Sequence, residues 1–401
     1  MNWLFTDMNS YFASVEQYLR PELRNHPVAV IPVETDSTCV IAASYSAKQF
    51  GVKTGTKVSE ARRLCPGLIL VKARPKTYVS IHHEILETLS ACAPIHKVYS
   101  IDEWSIRLRG AEQQPAQAHR LALTIKQTLF EKFGPWMTCS IGIATSRLLA
   151  KIASDLQKPD GLTILDAEQV PVRLARRPLK SLCGIGDGML SRLQAHGVQT
   201  PVDLWNLTRE EANRVWGSVS GGDWWAGFHG IDEPEIPTRR SSMSHGNVLE
   251  PRFRHPEGAY GILIRLVTKL GVRLRRDGYF AKCLQLSLRT PHGERFTEKM
   301  SIPYTHDTTT LIQQVEKLWR LRPNSFSSIQ KVDVCVSGLV LASQVPRSLF
   351  DEVDKRQQVS QVVDKINARL GEASIYFGPV HHFRQQMDNK IAFGRIPDRA
   401  E

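Results

Sequence analysis

Apolar positions recur along this chain with a spacing near two in some stretches and near 3.6 in others, and the order of those stretches divides it into regions. WLFTDM near the start, VAVIPV from Val28 and CVIAAS from Cys39 predict strands, whereas the spacing from Tyr78 to Ala91 predicts a helix. HKVYSIDEWSIRLRG reads as two alternating runs that meet at Asp102 and Glu103, the pattern of a hairpin. A helix over 117–130, a strand at TCSIGIA, a helix over 147–156 and a strand at GLTIL complete a mixed α/β unit. Residues 166–235 hold no convincing strand. They carry the turn LCGIGDGMLSRLQAHGV and Trp205, Trp216, Trp224 and Trp225, which predicts a small helical domain. A polar link, GIDEPEIPTRRSS, leads into 242–345, where helix-like AYGILIRLVTKLGVRLRRDG precedes strand-like KCLQLSLRT and VDVCVSGLVLA, a separate α+β domain. The stretch after Gln344 contains one more amphipathic run, VSQVVDKINARLG; there are no repeats and no low-complexity segment.

Composition narrows the class. With 401 residues, 42% of them hydrophobic and 23% charged, the chain has the balance of a folded protein of two to four domains. No stretch reaches the roughly 18 apolar residues of a membrane span, and MNWLFTDMNS lacks a basic leader, so a cytosolic protein is expected. The closest of the seven cysteines, Cys39 and Cys65, are far beyond zinc-ligand spacing, and reduced thiols are the expectation. Net charge is +12, and residues 239–299 carry 13 Lys or Arg against 5 Asp or Glu. Such a basic stretch is either a solvated face or a footprint for nucleic acid.

Three acids interrupt apolar runs: Asp7 after WLFT, and Asp102 with Glu103 between VYSI and WSI. If the first strand lies beside the hairpin, they form an oxygen-only ligand set suited to a hard divalent cation such as Mg²⁺; taken singly, each is as readily a turn or cap acid. Tyr11, Phe12 and Val15 share one face of a helix starting near Asn9 or Ser10. Tyr45 and Lys48, three apart, and Lys158, just after a helix, are placed to hold a triphosphate. GVKTGTK is not a phosphate loop, because three rather than four residues separate Gly51 and Gly55. The turn at Gly184 and Gly186 offers backbone N–H groups to a nucleic-acid phosphate, although glycines also simply end helices.

DMNSYFASVE, ASYSAKQFGVKTG, YSIDE, SIGIATSRLLAKIASDLQKPDGLTIL and LCGIGDGMLSRLQAHGV, in this order, resemble the Y-family DNA polymerases, the translesion class, over nearly the whole chain. The resemblance implies an α+β multidomain right hand: a ferredoxin-like palm (1–10 and 73–165), small fingers (11–72), a helical thumb (166–233) with a helix-hairpin-helix near 182–198, an α+β little finger (241–345) and a C-terminal tail (346–401). It implies Asp7, Asp102 and Glu103 as metal-binding catalytic acids, with the backbone carbonyl of Met8 as an added ligand, for two Mg²⁺ ions that Mn²⁺ can replace. Phe12 falls on the steric gate. Tyr11, Phe12, Tyr45, Lys48 and Lys158 fall on the nucleotide site, and Gly184, Gly186, Arg273, Arg275 and Arg276 on DNA-binding positions. Primer-template DNA and deoxynucleoside triphosphates are the implied partners of a chain that is monomeric by itself, acting in DNA repair and damage tolerance. VPRSLF, ending in Leu349 and Phe350, is similar to a sliding-clamp-binding peptide without its usual glutamine, and accessory lesion-bypass subunits are further implied partners.

Two departures bear on activity. Lys48 stands where arginine is common, and Trp104 puts a bulky indole beside the acids, either crowding the metal site or packing beneath it. They keep open a catalytically weak DNA-binding partner in a lesion-bypass assembly. A metal-dependent nuclease is a third reading, which leaves Phe12, Lys48 and Lys158 without roles.

Overall fold

The computed structural model describes residues 1–36, 38–234, 239–345, 351–371, 374–383 and 396. Two compact units emerge, residues 1–235 with 389–401 and residues 236–388. The first begins with β1 (Trp3–Met8), α1 (Tyr11–Leu19), β2 (Val28–Ile31), β3 (Ala42–Ala43), α2 (Tyr45–Lys48), α3 (Val58–Leu64) and β4 (Ile69–Lys72). It continues with α4 (Pro75–Cys92), β5 (Ile95–Ser100), β6 (Glu103–Arg107), α5 (Pro115–Phe133), β7 (Cys139–Ala144), α6 (Arg147–Leu156) and β8 (Leu162–Leu165). Short helices follow: α7 (Val170–Leu174), α8 (Asp187–Ala195), α9 (Pro201–Trp205), α10 (Arg209–Trp216) and α11 (Ser220–Phe228).

The main sheet has the order β5-β6-β1-β7-β8, with β1 antiparallel to both neighbours and buried along its whole length. A strand's period of two sorts its residues onto two faces. Leu4 and Met8, with Trp104 and Ile106 of β6, join the apolar side chains of α4 and α5. Trp3 and Phe5 join Leu149, Ile152 and Ala153 of α6 on the opposite side, the side to which Asp7 belongs by alternation. The helix α6 opens with Ser146, whose side chain accepts from the Leu149 N–H at 3.2 Å. It lies so close to β7 that a Cβ on Gly142 would stand 2.0 Å from the Ala150 carbonyl oxygen and 2.4 Å from the Ser154 nitrogen. Only glycine admits that approach. A second sheet, β3-β2-β4, packs Ala29, Ile31 and Ala43 against Ala47 of α2 and Val58 and Ala61 of α3.

The second unit comprises β9 (Ser242–Val248), α12 (Pro256–Arg276), β10 (Tyr279–Arg289), β11 (Arg295–Thr305), α13 (Thr308–Arg320), β12 (Lys331–Ser337), β13 (Val340–Leu341) and α14 (Asp351–Leu370). Its antiparallel sheet has the order β11-β10-β12-β9. Leu284, Leu286 and Leu288 with Val332, Val334 and Val336 form its inner face, against Leu263, Val267 and Leu270 of α12 and Leu311 and Val315 of α13.

The α+β multidomain class expected from the pattern is the one found, and no strand occurs among the described residues of 166–235. The expected strand at CVIAAS shrinks to Ala42–Ala43, while β4, β9, β11 and α13 were not anticipated. β9 and β11 are the outer strands of their sheet and carry exposed Ser, Thr, Glu and Lys, with Pro303 inside β11. An edge strand needs neither strict alternation nor a full ladder, so its sequence signal is weak. All seven cysteines are free. Among the described residues no helix is long and apolar enough to cross a membrane.

Candidate active site at the end of the central strand

Antiparallel register builds the site. Asp7 pairs with Glu103 across β1 and β6, and the Met8 N–H donates to the Asp102 carbonyl oxygen at 2.9 Å, so the hairpin turn is tied to the end of the central strand. From the other side α6 and the turn just after it supply cations. The Lys151 ammonium donates to one Asp7 oxygen and to Glu103 Oε1 at 2.6 Å; Lys158 Nζ lies 2.8 Å from the other Asp7 oxygen. Asp155 receives both lysines, Lys158 at 2.7 Å and Lys151 at 3.4 Å.

Charge and burial compete differently at each acid. Burial would raise the Asp7 carboxyl, but Lys151 and Lys158 together hold it below its ordinary value. Among the described residues no ammonium is bonded to Asp102. Burial lifts it to about 6, against the hydrogen bond from Ser100, and the charges of Asp7 and Glu103 push the same way as burial. Burial works against the charge on Lys151 too, yet Asp7, Asp155 and Glu103 keep it protonated well beyond the usual lysine range. The donor chemistry suits a divalent cation: carboxylate oxygens at paired register positions already share one positive group between them. Among the described residues no three His, Cys, Asp or Glu side chains are gathered as a ready metal cage. The lysines stand among these acids instead.

Beside the acids lies the group expected to hold a nucleotide. Lys48 donates to Ser10 Oγ at 2.7 Å, and its ammonium sits 4.2 Å above the centre of the Tyr45 ring. Burial and the nearby Lys158 lower the Lys48 pKa, and burial raises that of Tyr45. Ser10 takes left-handed φ, ψ angles of 49° and 42° between β1 and α1. The Phe12 ring stacks on Tyr78 of α4 at 4.5 Å, and Tyr78 donates to Glu16 Oε1 at 2.7 Å, a carboxylate also gripped by Arg74 at 2.7 and 3.0 Å. Tyr11 turns inward, donating to the Tyr78 carbonyl oxygen at 2.7 Å, and its burial raises its pKa well above the ordinary value. The structure therefore brings Asp7, Asp102, Glu103, Tyr45, Lys48 and Lys158 into one neighbourhood, with Phe12 held by a braced aromatic partner.

Trp104 is settled by the pleat. It falls on the face opposite Asp7 and Glu103, is fully buried, and stacks on His82 with ring centres 5.6 Å apart. It packs beneath the acids rather than crowding them, which removes one motive for a catalytically weak protein. Lys151 and Asp155 were missed, although KIASDLQK places them four apart on one helical face, with Lys158 three further on, just past the helix end.

The other candidates lie elsewhere. Gly184, with φ of +89°, and Gly186, which precedes α8, are exposed; Trp224 Nε1 donates to the neighbouring Cys183 carbonyl oxygen at 3.2 Å. In the second unit Arg273 and Arg276 approach Asp277 at 4.0 and 3.4 Å. Arg275, expected at a DNA-binding position, is engaged within the protein. Its side chain is 6% exposed and gives two hydrogen bonds to Asp364 of α14, at 2.6 and 2.8 Å, and others to the His306 carbonyl oxygen and Thr308 Oγ1. A guanidinium so committed ties the end of α12 to α14. Leu349 and Phe350 lie outside the described residues.

The acids paired at the sheet end, with Lys151 on the adjoining helix and Lys158 just after it, offer the carboxylate and ammonium groups that phosphoryl transfer uses, on a multidomain α+β frame. Residues 6–155 match the impB/mucB/samB family and residues 240–349 its C-terminal domain. DNA polymerase IV of Moorella thermoacetica is 33% identical over 381 residues, covering 93% of this chain and 94% of that protein. DNA polymerase IV of Pelotomaculum thermopropionicum is 29% identical, covering 93% of each. A solved Y-family DNA polymerase chimera of Dbh and Dpo4 shares the fold, with a TM-score of 0.70 at 21% identity over 85% of this chain and all of that one. The chain belongs to this family, the Y-family of translesion DNA polymerases, and is a DNA-directed DNA polymerase, a class generally dependent on divalent metal.

Proposed function

We propose that this polymerase adds deoxynucleotides to a primer 3′-end opposite damaged template with low fidelity, and that Asp7, Asp102, Glu103 and the Met8 carbonyl hold two Mg²⁺ ions, which Mn²⁺ can replace. The supporting observation is the sharing of one ammonium group by Asp7 and Glu103, with Asp102 beside them, next to the cationic cluster of Lys48 and Lys158. When bound, the ions supply Lewis-acid activation of the primer hydroxyl and charge neutralisation on the phosphates, so no histidine base is required. Lys48, Tyr45 and Lys158 bind and orient the triphosphate. Phe12, with Tyr11 beside it in sequence, sits under the sugar and excludes a 2′-hydroxyl sterically.

In this reading residues 1–10 with 73–165 are the palm, 11–72 the fingers, 166–233 the thumb and 241–345 the little finger. Gly184 and Gly186, with Arg273 and Arg276, grip backbone phosphates without reading bases, and binding weakens steeply with salt. A sliding clamp, met through Leu349 and Phe350, and accessory lesion-bypass subunits complete the proposed partners. Primer extension with Mg²⁺ by the purified chain tests the reading. Template-directed addition by wild type and its loss in Asp102→Ala are expected; no extension by wild type, or unchanged extension by the variant, refutes it.

A further inference from the structure

Lys151 has no part in the function as stated so far, yet it is the most heavily bonded cation of the site. Its side chain is 14% exposed, and its ammonium meets Asp7, Glu103 and Asp155 at once. It also lies 5.3 Å from the centre of the Phe5 ring, one residue-pair down the strand from Asp7. The helix that carries it is pinned to the sheet where Gly142 allows backbone contact, so the ammonium's reach is set by the fold rather than by a mobile loop. Asp7 and Glu103, directly opposed in register, repel each other unless a positive charge lies between them.

We propose that Lys151 is a built-in counter-cation: in the metal-free protein it joins Asp7 to Glu103 in the place of a divalent ion, and on metal loading it retreats onto Asp155. This rests on the reading of Asp7 and Glu103 as metal ligands. Two features of the geometry support it. Lys151 takes one oxygen of each opposed carboxylate, the arrangement of a bridging cation. Asp155, four residues along the same helix face, is already within 3.4 Å, so the displaced ammonium keeps a carboxylate partner and is not left uncompensated. Lys151 is thus a positioning residue. It keeps the acids aligned before loading and makes loading a cation exchange, which weakens the first metal's affinity.

The test is Mn²⁺ binding to the whole protein without DNA or nucleotide, followed by the electron paramagnetic resonance signal of free Mn²⁺, alongside thermal melts with and without Mg²⁺. Lys151→Gln, which keeps length and polarity, is expected to bind Mn²⁺ about tenfold more tightly than wild type and to gain more melting temperature from Mg²⁺. Lys151→Arg, which keeps the charge, is expected to retain wild-type affinity. Asp155→Asn, which removes the place of retreat, is expected to bind Mn²⁺ more weakly. Equal or weaker Mn²⁺ binding by Lys151→Gln overturns the proposal. Asp7→Asn and Glu103→Gln are the control for the underlying reading. If they bind Mn²⁺ as wild type does, the ligand assignment itself is wrong; if they lose binding while Lys151→Gln shows no gain, only the counter-cation role fails.

Discussion

The buried Arg275 separates two accounts of the basic second unit, and replacing it with methionine distinguishes them. The guanidinium makes two charge-assisted bonds to Asp364, one to the His306 carbonyl oxygen at 2.6 Å and one to Thr308 Oγ1 at 3.0 Å. Breaking a buried ion pair from one side typically costs about 3–5 kcal/mol. Asp364 is 24% exposed and recovers some hydration, which places Arg275→Met near 3 kcal/mol, at the low end of that range. At roughly 2–4 °C per kcal/mol for a unit of this size, its melting transition should fall by about 6–12 °C. Asp364→Leu alone should cost at least as much, because it strands the guanidinium, whereas the double variant should recover part of the loss. Calorimetry of the whole chain measures the melting shift. Titration of primer-template DNA at several salt concentrations measures the phosphate contacts. The expected result is a lowered melting transition with an unchanged salt slope. A variant that melts like wild type but loses about one unit of salt slope would show that Arg275 meets a phosphate instead.

Phe12→Ala should admit ribonucleotides while largely preserving deoxynucleotide addition, because it removes the ring stacked on Tyr78; single-nucleotide insertion assays with dNTP and rNTP pairs give the ratio, and undiminished discrimination would refute the gate. Trp104→Ala should lose about 3–5 kcal/mol of stability by emptying a fully buried site. Trp104→Phe should lie within about 1 kcal/mol of wild type in urea denaturation, since it also removes an indole N–H with no partner among the described residues, and a collapse in the phenylalanine variant would argue that the N–H is satisfied. Burial lowers the His82 pKa to about 4 despite its bond to the Ile101 carbonyl oxygen, so the folded state keeps the ring neutral where the unfolded chain takes up a proton. Its contribution is present above pH ~6.5 and is lost as pH falls toward 4, by at most about 3 kcal/mol. His82→Phe should flatten that part of the stability profile, and an unaltered profile would place the acid sensitivity elsewhere.

Much of the frame was legible in the linear chain. A strand period at WLFTDM and TCSIGIA, a helical period over 147–156 and the doublet Asp102–Glu103 between two apolar runs are local patterns, and local sterics and burial act on neighbours in sequence. The same holds for Tyr45 and Lys48 on one turn of helix. Where local pattern is weak, at the edge strands β9 and β11, the sequence was silent because such strands bury little and satisfy fewer backbone bonds within the sheet.

Tertiary structure decided the rest. The acids are distant in chain order, and only antiparallel register sets Asp7 opposite Glu103 and turns Trp104 to the other face. Lys151 became part of the site because α6 lies against the sheet at Gly142, a close approach that nothing in the helix's own sequence requires. Arg275 looked like its basic neighbours Arg273 and Arg276 until Asp364, 89 positions later, met it in the folded second unit. Composition gives the number of charges; whether a charge faces solvent, a phosphate or a buried carboxylate depends on which distant segment packs over it, and electrostatic free energy follows that packing.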